Sequence, residues 1–381
     1  MSLASPISEA ERRYIALGIA QGLRTDGRAA LDYRQNTVES SVLPSSNGSA
    51  RVVLGGTGSG LLADGADASI GASIGGTDVL VAVSCELGEP SAAAPARGCV
   101  SCSVEVSPAL AGNDGGGARD VEAELGAALE QLVFGVADGD DATACGGALD
   151  LDALCVARGR HCWHVHVDAL VVASDGGALL DALSFATHVA LRTCRLPRVA
   201  DATDGGRRAG SGGARGGGAP LELVDGGARD RAVPLLADAA AAARVPVCVS
   251  VSRVPAAPAA PVPAAAAREA GADGGAAKRA RLGAARPPGG GHLIVDASGE
   301  EEPCVAASVA VAVDSAGHVR GVRQGGGGGV PVMELGPVLS AARSVALSVL
   351  ASLDAAVEAA AAAEGSVARA DEPPARIGMM L

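Results

Sequence analysis

Hydrophobic and polar positions first indicate a helix near the start of the chain. Ser8 and Glu11 have the spacing of a capping box, in which each side chain bonds the backbone amide of the other residue. Gly22 is expected to end the helix. A polar turn is expected over residues 23–28.

A β-hairpin is expected next, from strands at 48–54 and 78–87. Val79, Val81 and Val83 alternate with residues that are also mostly apolar, which predicts a strand buried on both faces. Between the strands, residues 58–76 are rich in Gly, Ala and Ser, have no clear period and are interpreted as a loop insertion.

The rest of the chain repeats both periods, and strands and helices alternate as in an α/β protein. Val121, Leu125, Leu129 and Leu132 share one face of a predicted helix. Helices are expected at 120–133, 181–193 and 336–363, the last stopping at Gly365, and strands at 163–172, 245–254, 293–297, 306–313 and 319–323.

Shifts in composition divide the chain into an N-terminal helix and arm, two folded regions, a linker and a tail. The segment 255–291 is dominated by Pro, Ala and Gly, which bury too little apolar surface to fold alone, and disorder is expected there. The expected boundaries are 1–32, 33–200 with the insertion 58–76, a Gly-rich linker at 201–220, 221–364 with the insertion 255–291, and 365–381.

Composition narrows the class of protein. Of 381 residues, 48% are hydrophobic and only 1% aromatic, so the core must be built from Val, Leu, Ile and Ala. Such a thin core favours a subunit completed by neighbours, although a coding bias toward Ala and Gly explains it equally well. No apolar run near the about 20 residues of a membrane span and no secretory signal are evident, so an intracellular protein without membrane contact is expected.

The net charge of −13 argues against independent RNA binding, because phosphate contacts supply most of the affinity of such proteins. A local basic strip facing a shared channel remains compatible with it. Nine cysteines without regular spacing predict reduced thiols rather than a disulfide framework.

Several patterns suggest metal or catalytic sites, each with a plainer alternative. Cys99 and Cys102 form a CxxC pair without the second pair of a zinc ribbon, so strand thiols are the alternative. Around one strand lie His161, Cys162, His164 and His166, where two imidazoles on one face could take a metal but no third ligand is evident. No metal and no cofactor are therefore predicted.

Three further patterns are weaker indications of a functional site. Asp168, Asp175 and Asp181 suggest a carboxylate site, but a turn at Asp175 and a helix cap at Asp181 are favoured. The Gly-rich run 55–60 lacks the Lys-Ser/Thr ending of a phosphate loop. The basic cluster Lys278, Arg279, Arg281 and Arg286 is either a nuclear-import signal, an RNA contact or a solvated charge run.

Taken in order, the motifs of this chain resemble those of RNase PH-type proteins, in particular the ring subunits of the eukaryotic RNA exosome. The first is the Leu-Arg-Thr-Asp-Gly-Arg signature at 23–28. The others lie at 48–52, 56–57 and 77–81 in the opening hairpin, and then at 161–163, 167–168, 175–177, 180–182 and 196–199.

The resemblance implies a two-layer RNase PH fold, with a β-α-β-α first half like ribosomal protein S5 domain 2 and a second RNase PH domain. It also implies a hexameric ring with five other RNase PH-like subunits, three S1/KH cap subunits and a hydrolytic nuclease, with RNA passing through the central channel. The nucleus, nucleolus and cytoplasm are the expected locations.

The same resemblance implies a silent active site. Active members follow the Asp-Gly-Gly turn with a Thr-Arg pair that grips phosphate, whereas here Asp175 and its turn are followed by Ala178 and Leu179. Active members place two Asp six positions apart for a metal ion, and Asp296 and Glu302 match them with one departure. No catalysis is therefore expected.

By resemblance, Arg51, Arg97 and Arg198 are candidate RNA or pore contacts, or equally subunit-interface salt bridges. Arg119 falls near the family's phosphate-side arginine. The leading hypothesis is a structural ring subunit of the exosome. The alternatives are an active phosphate-dependent 3′–5′ exoribonuclease, which Ala178 and Leu179 argue against, and an unrelated α/β binding module.

Overall fold

A computed structural model describes residues 7–57, 74–108, 110, 116–135, 147–174, 177–201, 221–223, 232–255 and 291–370. The helices are α1 (Glu9–Ala20), α2 (Gly116–Leu129), α3 (Leu179–Thr193), α4 (Ala239–Ala243) and α5 (Val332–Ala370). The strands are β1 (Asn36–Ser40), β2 (Gly48–Thr57), β3 (Ile74–Gly88), β4 (Cys99–Val106), β5 (Cys155–Ala157), β6 (His161–Ser174), β7 (Arg195–Leu196), β8 (Val199–Asp201), β9 (Leu221–Leu223), β10 (Val233–Pro234), β11 (Val247–Val254), β12 (His292–Val295), β13 (Ala307–Val313) and β14 (Val319–Gly325).

The first half of the chain forms a six-stranded sheet in the order β1-β2-β3-β6-β4, with β5 paired to β6. All pairs are antiparallel except β4 with β6. The expected hairpin of β2 and β3 is present. Val79, Val81 and Val83 are wholly buried, but Leu80, Ala82 and Ser84 are half-buried, so burial of both faces was the wrong expectation.

The second half forms a four-stranded antiparallel sheet in the order β12-β11-β13-β14. Helix α3 packs against both sheets, on β2 and β3 of the first and on β11 of the second. Helix α5 packs on β11 and β13. One continuous core of mainly Val, Leu and Ala side chains therefore joins the two halves.

Helix α1 begins as its sequence predicts. The Ser8 side chain accepts from the Glu11 amide at 3.2 Å, and the Ser8 amide donates to the Glu11 carboxylate at 2.8 Å. The buried face of α1 contains Ile15, Ala16 and Ile19 and packs in a small separate cluster.

Helix ends differ more from expectation. α2 begins four residues before the expected Asp120, and a π-turn over Glu130–Phe134 extends it to Gly135. α5 passes through Gly365 and ends at Ala370. A single glycine costs a helix only about 1 kcal/mol relative to alanine, and the alanines that precede it are the best helix formers.

The boundary of the first expected insertion is placed more narrowly. Strand β3 begins at Ile74, inside the expected insertion 58–76, because the segment pairs with β2 back to Thr57. The remainder, 58–73, lies outside the described residues. So do 202–220 of the expected linker, 256–290 of the second insertion and 371–381 of the tail.

Over Val332–Ala362, helix α5 is long and apolar enough to cross a membrane, by length and composition alone. No such segment was expected from the sequence. In the fold, one stripe of α5 is buried at helical spacing, which is typical of a helix packed on a core. The buried residues of this stripe are Val338, Ala342, Val345, Ala346, Val349, Leu350 and Leu353.

Candidate functional site

A cavity of about 230 Å³ opens between α2, the start of α3 and one face of the second sheet. Four of the sequence-predicted site residues line it: Ala178, Leu179, Asp296 and Glu302. The first two are more than 100 positions from the last two in the chain, so only the fold brings the two pairs together. Asp175, the fifth, lies outside the described residues.

Asp296 follows directly after β12, and its carboxylate is wholly buried between two arginines. Arg28 Nη1 donates to it at 2.7 Å and Arg34 Nη2 at 2.6 Å. The backbone amide of Arg34 adds a third donor at 2.8 Å. Both carboxylate oxygens therefore already have cationic partners from the same chain.

A second buried ion pair holds the loop that follows Asp296. Arg24 Nε and Nη2 donate to the two oxygens of Glu301 at 3.0 and 2.5 Å, with side-chain exposures of 2% and 0%. Arg24 also donates to the carbonyls of Val295 and Asp296 at 3.0 and 2.7 Å. The signature at residues 23–28 thus clamps the loop that contains Asp296 and Glu301.

Glu302 closes the start of α3. Its Oε1 accepts from the backbone amide of Ala178 at 2.9 Å, and Ala178 is the N-cap residue in a left-handed conformation. The preceding Gly177 has φ +72°, and a Cβ there would lie 2.7 Å from Glu302 Oε1. The turn therefore needs glycine both for its backbone and for this contact.

Asp181 does not cap α3, so that expectation was wrong. It lies inside the first turn, wholly buried, and accepts from Tyr33 Oη at 2.5 Å and from Ser250 Oγ and N at 2.6 and 3.0 Å. Burial raises the pKa of Asp181 to about 6, while the bonds from Ser250 and Tyr33 oppose that rise. The N-cap residue Ala178 has no side chain that could cap α3, and Glu302 instead accepts from its amide.

The cavity offers few groups that attract phosphate. Leu179 contributes no donor, the carboxylates of Asp181 and Glu302 line the cavity as acceptors, and the arginines beside Asp296 are engaged by it. Arg323 at the rim is the one arginine among the described lining residues, and it lies 3.9 Å from Glu124. Sequence reasoning missed Arg323 because an arginine on an edge strand has no distinguishing spacing.

A metal ion of the kind that active RNase PH enzymes use does not fit these residues. The first of the two expected carboxylates, Asp296, is bound by Arg28 and Arg34, and the second, Glu302, bonds a backbone amide. Within the described part of the chain, no group of three or more His, Cys, Asp or Glu is placed to hold a metal.

The four candidate RNA contacts lie elsewhere. Arg51 makes a two-bond pair with the buried Asp78 at 3.0 and 2.6 Å, and Arg97 pairs with Asp152 at 3.0 Å. Arg119 at the start of α2 and Arg198 after β7 are exposed. The structure does not bring these four side chains to the cavity.

The histidine and cysteine patterns fall on the first sheet. His166 Nδ1 lies 2.7 Å from Ser101 Oγ, and His164 Nε2 lies 3.2 Å from the Glu89 carbonyl oxygen. Cys99 and Cys102 are both on β4, and burial raises the pKa of the Cys102 thiol to about 12. A thiol with so high a pKa is a poor nucleophile and metal ligand at neutral pH.

The expected carboxylate trio does not assemble among the residues described. Asp168 is exposed on β6 and accepts from Ser103 Oγ at 2.7 Å, whereas Asp181 is buried between the sheets. The basic cluster at 278–286 falls outside the described ranges. Besides Arg323, Glu301 and the arginines of the clamp were missing from the predicted site, and the run of three glutamates at 300–302 was the available signal.

Comparison with known proteins supports this description. Residues 58–197 match domain 1 of the 3′ exoribonuclease family, RNase PH. The exosome complex component Rrp42 of Methanocella arvoryzae is 30% identical over 50% of this chain and 62% of that protein. A Dictyostelium discoideum protein named as the exosome complex exonuclease RRP42 is 23% identical over 91% of this chain and 97% of its own length.

Solved structures share the fold. A chain of an archaeal exosome core has a TM-score of 0.54 and 19% identity, covering 91% of this chain and 97% of its own. A chain of the Archaeoglobus fulgidus exosome with RNA bound to the active site has a TM-score of 0.56 and 20% identity, covering 90% of this chain and 98% of its own. Residues 58–197 thus match an RNase PH domain, and the chain shares the fold of these exosome core chains.

Proposed function

We propose that this chain is a non-catalytic structural subunit of an RNA exosome ring, which shapes the channel for 3′-to-5′ RNA processing and degradation. One observation carries the catalytic half of the proposal. Asp296, at the position where active relatives hold a metal ion, is neutralised by Arg28 and Arg34 of the same chain.

The chemistry of phosphorolysis explains why that observation matters. Inorganic phosphate attacks the terminal linkage, and negative charge grows on the non-bridging oxygens, which need cationic and hydroxyl donors. Each lost charge-assisted hydrogen bond costs about 1.5–3 kcal/mol. Ala178 and Leu179 stand in place of such donors, and Arg28 and Arg34 already bond Asp296, so the cavity offers phosphate few donors.

The assembly half of the proposal rests on the relatives. One matched relative is named as an exosome complex component and another as an exosome complex exonuclease, and the shared fold is that of an exosome core chain. The proposed partners are five other RNase PH-like ring subunits, three S1/KH cap subunits, a hydrolytic nuclease and RNA. The proposed locations are the nucleus, nucleolus and cytoplasm, where rRNA maturation and mRNA turnover take place.

Native purification of the tagged chain, followed by mass measurement of the intact assembly, tests the assembly half. We expect one copy of the chain with five different RNase PH-like subunits and three cap proteins. A homohexamer of the chain alone would contradict the proposal and favour the phosphorolytic alternative.

A phosphorolysis assay tests the catalytic half. The purified chain, given single-stranded RNA and inorganic phosphate, is expected to release no nucleoside diphosphate above background. The double variant Ala178→Thr with Leu179→Arg restores two donors but leaves Asp296 bound by its arginines, so it should remain inactive. An active RNase PH enzyme serves as the positive control, and diphosphate release by the unmodified chain would overturn this half.

A further inference from the structure

Two cysteine thiols meet at the end of the first sheet, away from the cavity. Cys85 lies near the end of β3, and Cys194 is the residue that follows α3. Their Sγ atoms are 3.8 Å apart. A disulfide has an S–S length of about 2.05 Å, so the two sulfurs need to approach by about 1.8 Å.

The backbone around these thiols is held by a single asparagine. Asn47 Oδ1 accepts from the Cys85 amide and Asn47 Nδ2 donates to the Arg195 carbonyl, each at 2.9 Å. The Asn47 amide donates to the Val83 carbonyl at 2.9 Å, and its carbonyl accepts from the Arg195 amide at 3.0 Å. Asn47 therefore ties the segments of both cysteines to one another before any covalent bond forms.

Close packing on the other side limits where the Cys194 sulfur can go. A Cβ added at Gly48 would lie 2.7 Å from Cys194 Cα and 2.9 Å from Cys194 Cβ, so β2 backs this residue directly. Cys194 is almost wholly buried, whereas Cys85 is half-buried. Cys85 is thus the thiol that a small reagent can reach.

We infer that Cys85 and Cys194 form a reversible disulfide when the protein meets a small disulfide oxidant such as oxidised glutathione. The cross-link would close a segment of about 110 residues that includes β4, α2, β6 and α3. It joins the end of α3 to β3, and the start of the same helix lines the cavity.

The exchange proceeds in two balanced steps. The Cys85 thiolate attacks one sulfur of oxidised glutathione, the glutathione S–S bond breaks, and one glutathione leaves with its electron pair and takes up a proton. The Cys194 thiolate then attacks the Cys85 sulfur, forming the protein disulfide and releasing the second glutathione. Two protein thiols lose two electrons and two protons, and one oxidised glutathione becomes two reduced molecules.

The environment of Cys194 sets the pace of the second step. Two effects raise the pKa of the Cys194 thiol far above its usual range: the hydrogen bond with Cys85, which is the larger, and burial. Because only the thiolate attacks, we expect slow closure at neutral pH and faster closure as the pH rises.

Other described cysteines offer competing products. Cys155 and Cys162 occupy paired positions on β5 and β6, and Cys99 is exposed. Within the described residues, Cys85 and Cys194 make the one hydrogen bond between two sulfur atoms, and we expect them to close in preference to the other pairs.

The test uses the full chain, purified in reduced form and incubated with oxidised glutathione at pH 7 and pH 8.5. Remaining thiols are alkylated, and peptides are mapped by mass under non-reducing conditions. We expect one peptide pair joined through Cys85 and Cys194 and removed by dithiothreitol, with faster formation at pH 8.5. Because the closed loop is long, the oxidised chain should unfold about 5 °C higher than the reduced one.

Matched variants separate this disulfide from other oxidation. Cys85→Ser should abolish both the joined peptides and the rise in melting temperature, and Cys194→Ser should do the same if it folds. Cys99→Ser should change neither. The inference fails if Cys85 and Cys194 remain alkylated as free thiols, stay as glutathione adducts, or pair with other cysteines.

Discussion

At the scale of single residues, the ion pair between Arg24 and Glu301 is the interaction on which the N-terminal arm depends. Arg24→Ala leaves the Glu301 carboxylate buried without its partner. Breaking a buried pair in this way costs about 3–5 kcal/mol. We expect a loss of stability of that size in urea denaturation of the purified chain.

Arg97→Ala is the matched control for that variant. Arg97 pairs with Asp152 at the surface, where 66% of the Asp152 side chain is exposed. Exposed pairs contribute about 0–1 kcal/mol. Equal losses in the two variants would mean that the arm does not depend on the buried pair.

Asp181 makes the stability of the protein depend on pH. Its pKa is raised from 3.8 to about 6 by burial, so its contribution to stability is full below about pH 4. That contribution is lost as the pH rises through about 6, because ionising the buried carboxyl in the fold is costlier than in the unfolded chain. The two-unit shift corresponds to about 3 kcal/mol.

Asp181→Asn tests this contribution because the amide does not titrate. The difference in free energy of unfolding between the unmodified chain and the variant should fall between pH 4 and pH 6.5, measured by chemical denaturation. A difference that stays constant across this range would contradict the assigned titration.

At the scale of elements, β2 packs against the end of α3 at Gly48 without room for a side chain. Gly48→Ala places a methyl group 2.7 Å from the Cys194 backbone, and neither element has a flexible group to give way. We expect a loss of about 3 kcal/mol, at the upper end for overpacking. Differential scanning calorimetry would show it as a lower melting temperature.

Gly126→Ala in α2 provides the opposite control. The nearest atom to the new Cβ would be Val104 Cγ2 at 3.9 Å, an ordinary contact. Replacing a glycine inside a helix then stabilises it by about 0.5–1 kcal/mol. A loss of stability in both variants would mean that the packing around α2 is also tight.

At the scale of the whole molecule, the net charge of −13 sets how the isolated chain meets RNA. Two of the four candidate RNA-contacting arginines, Arg51 and Arg97, already pair with Asp78 and Asp152. Fluorescence anisotropy with single-stranded RNA at about 0.15 M salt should therefore detect no tight binding by the chain alone. Tight binding without partner subunits would contradict the expectation that RNA meets this protein only in an assembled channel.

Features that depend on residues close together in the chain could be predicted from the sequence. The capping box of Ser8 and Glu11, the strand pattern of β3 and the buried face of α2 follow from side chains within a few residues of each other. The period of hydrophobic positions reports which face is buried, and that pattern is local. The same locality made Asp181 look like a cap, since a carboxylate near a helix start is usually one.

Only the tertiary structure decided what happens between distant segments. Arg28 and Arg34 reach Asp296 across more than 260 positions, Glu302 caps α3 across more than 120, and Asn47 joins the two cysteine segments. No spacing rule connects such residues, because their separation in the chain is set by the insertions between them. The sequence determined most of the elements and the presence of Ala178 and Leu179 after the Asp-Gly-Gly turn. The packing of two sheets on α3 determined that Asp296 and Glu302 are bound by the protein's own arginines and amides.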